Sequence, residues 1–110
     1  MIIIRNNLIP FGRNFGAINL FGILFAKPGM RLTHEVINHE RIHTAQMREL
    51  LFLPFYIIYT IEWLLRLTCC HGNTFRAYKA ISFEREAYAK GSDRHYLARR
   101  KRFAQWRKTY

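Results

Sequence analysis

The sequence predicts a small α+β domain in which a short antiparallel sheet, a hairpin or meander, packs on a helical bundle. Three observations lead there. Residues 2–9 and 17–26 are rich in Ile, Leu and Phe and flank a segment containing Pro10, Gly12, Asn14 and Gly16, residues that favour turns. Helix start and stop signals then recur from Thr33 onward. Finally, 110 residues, half of them hydrophobic, suffice for one core and not two, so residues 1–110 are expected to form a single domain.

The first two apolar runs are the expected strands, and Lys27-Pro28-Gly29 ends the second. Thr33 has the side chain of an N-cap, and Glu35 places a negative charge in the first turn, where the helix dipole favours it. The helix beginning there should run through His39 and His43 to about residue 53. Pro54 cannot continue it and should open a second helical segment over residues 55–67. Gly72 marks a loop at residues 69–73, and helical character returns over residues 82–90, with Gly91 as the expected C-terminal stop. Ser92 or Asp93 can cap a last, basic helix over residues 92–110, in which Arg and Lys alternate with Tyr96, Phe103 and Trp106.

Eighteen Lys and Arg against seven acids give a formal charge of +11, a field that favours anionic lipid, nucleic acid or acidic protein partners. Cys69 and Cys70 are adjacent and poorly placed to form an unstrained disulfide together, so free thiols and a reducing, cytoplasmic setting are expected. The N-terminus lacks the pattern of a secretory signal. Residues 50–67 approach the length of a bilayer span but contain Pro54, Glu62 and Arg66. Burial in the domain is the preferred reading, with a position at the membrane interface as the alternative. The basic tail would support peripheral attachment to the inner face of an anionic membrane.

His39-Glu40-Arg41-Ile42-His43 fits the H-E-x-x-H pattern on a predicted helix. Side chains at i and i+4 share one face, so both imidazoles can reach a single zinc ion. Glu40 sits beside them without needing to bind the metal. It can take the proton of a water that the metal has acidified and pass it to the leaving amine, which is the chemistry of peptide hydrolysis. His34, His71 and His95 lack useful spacing to the pair and read as surface or loop residues. Gln46, one turn past His43, can orient a ligand, although a solvated position is the simpler reading.

A third ligand is required. Asp93 and Glu62 qualify by residue type, and the best local candidates are Glu84 and Glu86 in Ser82-Phe83-Glu84-Arg85-Glu86-Ala87-Tyr88. Two residues apart on a helix, they point about 200° from each other, so only one can face the metal. The core pair Phe83 and Ala87 does not decide between them.

The H-E-x-x-H motif followed by Phe-Glu-x-x-Ala on a later helix resembles the gluzincin metallopeptidases, especially the CAAX prenyl protease group and the very small minigluzincins. It is also similar to short uncharacterised bacterial proteins. The resemblance implies a minimal zincin-like fold, one zinc ion, a peptide or protein substrate and, at the Glu that opens Glu-x-x-Ala, Glu84 as third ligand. Where the family motif continues with Asp, this chain has Tyr88. That Asp supports the ligands from behind; the Tyr88 hydroxyl, one turn from Glu84, can instead donate to a ligand or to a developing oxyanion. In peptidases of this architecture an edge strand holds the substrate, and residues 17–26 are the candidate. The alternatives are a nucleic-acid-binding or membrane-surface accessory protein, or a catalytically silent metal site.

Overall fold

A computed structural model of the protein describes residues 2–6 and 16–107. Its sheet differs from expectation in pairing and in strand number. Strands β1 (Ile2–Arg5), β2 (Ala17–Leu20) and β3 (Ile23–Ala26) lie in the order β1-β3-β2. β2 and β3 are antiparallel, but β1 runs parallel to β3, with Ile2 opposite Ile23, so the sheet is mixed. Residues 17–26 form a two-residue hairpin instead of one strand, because Phe21 (φ 53) and Gly22 (φ 87) both take the left-handed conformation that matches strand twist. Gly22 adopts it freely. Phe21 is held there by its N–H, which donates to the Tyr56 hydroxyl at 2.8 Å, and by ring contact with Tyr56 at 5.0 Å between centroids. The turn expected between residues 10 and 16 falls almost wholly on residues 7–15, outside the described residues.

Helix α1 (His34–Glu49) starts as expected, with the Thr33 hydroxyl accepting from the Val36 N–H at 3.2 Å. It stops about four residues sooner than expected because Leu51 (φ 59) and Phe52 (φ 65) turn left-handed. Helix α2 (Leu53–Cys69) leaves this corner at 111° to α1, with Pro54 in its first turn, where a missing N–H is harmless. Helix α3 (Thr74–Ala80), absent from the sequence reading, is capped by Asn73, whose Oδ1 accepts from the Arg76 N–H at 3.0 Å. Helix α4 (Ser82–Lys90) has the expected bounds.

The expected last helix over residues 92–110 is two short ones, α5 (Tyr96–Arg99) and α6 (Ala104–Arg107), with residues 108–110 outside the described set. Arg100 breaks the run. Its side chain turns into the protein to pair with Glu86 and Glu49, and its backbone becomes extended. Cys69 and Cys70 are free, as expected.

Two apolar clusters flank the α1–α4 contact: Met47, Phe55, Ile81 and Phe83 on one side, Ile42, Ala87 and Tyr96 on the other. Helix α2 contributes only one face to this core. Leu53, Ile57, Ile61, Leu64 and Leu65 are each more than half exposed, so the preferred reading of residues 50–67 as buried holds for half of the helix. Among the described residues no single helix is long and apolar enough to cross a membrane; α1 and α2 together have the length and composition, bent at their corner.

Candidate metal centre

Side chains from two other helices clamp α4 at both ends. At its start, Glu62 of α2 accepts from the Ser82 N–H at 3.1 Å and from the Ser82 hydroxyl at 2.7 Å, putting a carboxylate where the helix dipole is positive. At its end, the Asn38 amide of α1 donates to the carbonyls of Lys90 at 3.2 Å and of Gly91 and Asp93 at 2.8 Å, satisfying oxygens that the helix leaves without partners. Gly91 is right-handed (φ −58), so it is no left-handed cap. It is small because a Cβ there would lie 2.9 Å from the Ala87 carbonyl oxygen and 3.5 Å from the His39 Cβ.

This clamp sets Glu84 against the paired histidines. Nε2 of His39 and Nε2 of His43 lie 3.2 Å apart, and Glu84 Oε1 is 3.2 Å from the first and 3.0 Å from the second. Among the described residues, these three are the group that could hold a metal ion. Zinc with bonds of about 2.0–2.1 Å in a tetrahedral site keeps its ligand atoms about 3.3–3.4 Å apart, close to the spacing here.

The protonation of His43 fits the same purpose. Gln46 is fully buried and its amide nitrogen donates to the Phe83 carbonyl at 3.1 Å and to Glu86 at 2.8 Å, which fixes its oxygen toward His43 Nδ1, 2.8 Å away. Nδ1 must therefore carry the proton of that bond, which leaves Nε2 as the nitrogen facing His39 and Glu84, where a metal ion could replace a proton. Gln46 is thus a positioning residue and not the solvated one its sequence position suggested.

Glu86 turns away from the cluster into a second buried network. It accepts from Gln46, from the Tyr96 hydroxyl and from Arg100, whose Nε donates at 2.5 Å and whose guanidinium also reaches Glu49. The two glutamates therefore diverge as their spacing requires, with Glu84 toward the histidines. Glu62 caps α4, and Asp93 pairs with Arg99. His34, His71 and His95 are exposed.

Electrostatics concentrate on this centre. Burial would lower the His43 pKa, but the Glu84 charge and hydrogen bond, with Glu40 and Gln46, push it up to about 9. Burial would raise Glu84, and His43, with hydrogen bonds from His39, His43 and Tyr59, instead holds it below the usual carboxylate range. Two nitrogens and a carboxylate oxygen so close together require a cation among them, and a proton or a metal ion can fill that role. Burial raises the Glu40 pKa against the opposing pull of His43 and His39. Its backbone is tied to the hairpin, since the Asn19 amide donates to the Glu40 carbonyl at 2.9 Å and to the Thr44 hydroxyl at 3.0 Å.

No family model, curated protein or solved structure matches the chain. The assignment of the centre rests on its own geometry.

Tyr88 packs its ring edge-on against His39, with centroids 4.5 Å apart, and its hydroxyl lies 3.1 Å from that of Tyr78. The hydroxyl that donates to Glu84 belongs to Tyr59 of α2, 2.6 Å from Oε2. Sequence reading missed Tyr59 and the capping roles of Asn38 and Glu62. A faint signal existed: Phe55, Tyr59 and Glu62 recur at helical spacing on one side of α2, with polar groups on a face otherwise suited to a core. Strand β2, at the edge of the described sheet, lies beside α1, and its Asn19 carbonyl accepts from the Tyr56 hydroxyl at 3.4 Å.

Proposed function

We propose that the protein is a zinc-dependent metallopeptidase in which His39, His43 and Glu84 hold one zinc ion and Glu40 is the general base and acid. The observation that carries this reading is the convergence of two histidine Nε2 atoms and one carboxylate oxygen, all within 4.8 Å of one another, beside a partly buried glutamate, Glu40, whose pKa is raised. When bound, zinc supplies Lewis acidity, making water a nucleophile near neutral pH and polarising the substrate carbonyl.

The remaining work falls to the chain. Glu40 removes a proton from the attacking water as its oxygen bonds to the scissile carbonyl carbon, and returns it to the amine as the C–N bond breaks. Burial raises its pKa, which strengthens it as a base toward the water's proton. Gln46 holds His43 in the ligating tautomer, and Tyr59 fixes the carboxylate of Glu84. Tyr88 braces the His39 ring and, with Tyr78, presents hydroxyls for the developing oxyanion. An extended peptide laid along β2 would lie beside the Glu40 turn of α1, to which Asn19 ties that strand.

The test combines metal analysis with turnover. Purified protein should carry about one zinc per chain, the number one such site accepts. His39→Ala and His43→Ala should each remove it. Glu40→Gln should keep the zinc and lose hydrolysis of a mixed peptide substrate, because Gln matches Glu in size but cannot take the proton. Full zinc in both histidine variants would refute the site. Stoichiometric zinc without hydrolysis by the unmodified chain would refute the peptidase and leave a silent metal scaffold.

A further inference from the structure

The outward face of α2 is unusual for an uncovered helix. Leu53, Ile57, Ile61, Leu64 and Leu65 are 52–63% exposed and follow one another at helical spacing over residues 53–65, about 20 Å of helix. Both charged residues of α2, Glu62 and Arg66, are half-buried on its other side, so no charge interrupts this stripe. Leu51 extends it at the α1–α2 corner with 78% exposure, and Phe21 of the hairpin tip, 58% exposed, packs on Phe52 of that corner.

The charges are distributed in the opposite sense. Of the seven acids, six are buried or partly covered, with Asp93 in an ion pair with Arg99; Glu35 alone is exposed. The neighbouring helices carry exposed cations, Arg41 and Arg48 on α1 and Arg76 and Lys79 on α3, which packs along α2. An apolar helix face amid an almost purely cationic surface selects its occupant. A second copy of the chain would bring two charges of +11 together, and nucleic acid would satisfy the cations but leave the apolar stripe wet. A bilayer with anionic headgroups satisfies both features.

We infer that α2 is a membrane-docking helix, lying in the interface of an anionic bilayer with Ile57, Ile61 and Leu65 among the acyl chains and the surrounding Arg and Lys at the headgroups. This role is independent of the metal chemistry. Because Tyr59, on the inner side of the same helix, bonds to Glu84, docking would hold the metal centre one helix diameter from the lipid.

The test is sedimentation of the full chain with vesicles of phosphatidylcholine, alone or mixed with phosphatidylglycerol. The unmodified protein should bind the mixed vesicles, and Ile57→Gln/Ile61→Gln/Leu65→Gln should weaken binding at least about tenfold with an unchanged unfolding midpoint. Ile61→Trp, a single exposed change, should show a blue shift of emission on adding mixed vesicles larger than that of the unmodified chain with its own Trp63 and Trp106, and it decides the matter if the triple variant does not fold. Equal binding by a folded triple variant, or no emission shift, would overturn the inference. So would a dimer that the triple substitution splits without any vesicle binding, or a nucleic-acid duplex that displaces the vesicles while the triple variant binds both unchanged.

Discussion

Helices α4 and α2 depart from the usual amphipathic pattern in opposite directions. Within nine residues α4 buries Ser82, Glu84 and Glu86 to 4% exposure or less, whereas α2 leaves five large aliphatic side chains over half exposed. A helix with carboxylates inside is stable only if each has a partner, and here each does: Glu84 has two histidines and Tyr59, and Glu86 has Gln46, Tyr96 and Arg100. The exposed aliphatic side chains of α2 have no comparable cover among the described residues, and the proposed membrane docking would supply it. The difference separates two kinds of irregularity. One is closed by the fold, and the other is left open by it.

The strongest way to break this comparison is Arg100→Met, which strands the buried Glu86 carboxylate. Removing one member of a buried pair should cost about 3–5 kcal/mol of stability, read as a fall in the urea midpoint. Adding Glu86→Leu should recover much of that loss, since the charge left behind, and not the missing attraction, causes it. A midpoint unmoved by Arg100→Met would mean that Glu86 does not depend on the pair.

A smaller effect is expected at the join between the two buried networks. Gln46→Leu takes the acceptor from His43 Nδ1, and zinc affinity in competition with a chelator should fall about 10–100-fold, while all three ligands remain. Unchanged affinity would reduce Gln46 to packing. The smallest effect should come from α2: Ile61→Gln should leave stability within about 0.5 kcal/mol, as at ordinary surface positions. A loss of several kcal/mol there would show that the stripe is covered by the protein itself.

Local signals in the sequence served well, and long-range ones did not. The Thr33 cap, the bounds of α4 and the divergence of Glu84 from Glu86 all follow from helix geometry within a few residues, and the structure has them. The parallel pairing of β1 with β3 is different, since it joins segments some twenty residues apart and nothing in either strand encodes a direction. The hairpin turn is hidden because Phe21 occupies a left-handed position that its side chain disfavours and that residues far along the chain secure, Tyr56 with a hydrogen bond 35 residues away. Helix α3 is not legible because Asn73, at the end of the expected loop, is its cap. The break in the basic tail depends on where Glu86 lies, and Tyr59 was invisible for the same reason: its partner is defined only once α2 and α4 meet.

Gly91 bears on how a map of mutational tolerance in this chain would look. A side chain at that position would collide with the Ala87 carbonyl oxygen, in the turn that packs on His39, so substitutions there should be selected against about as strongly as those at a ligand. Ile57 and Ile61, on the open face of α2, should accept many replacements in any assay that scores folding alone. Intolerance in such a map would therefore mark where α4 closes on α1 as much as where chemistry occurs, and a residue without any functional group would rank beside the histidines.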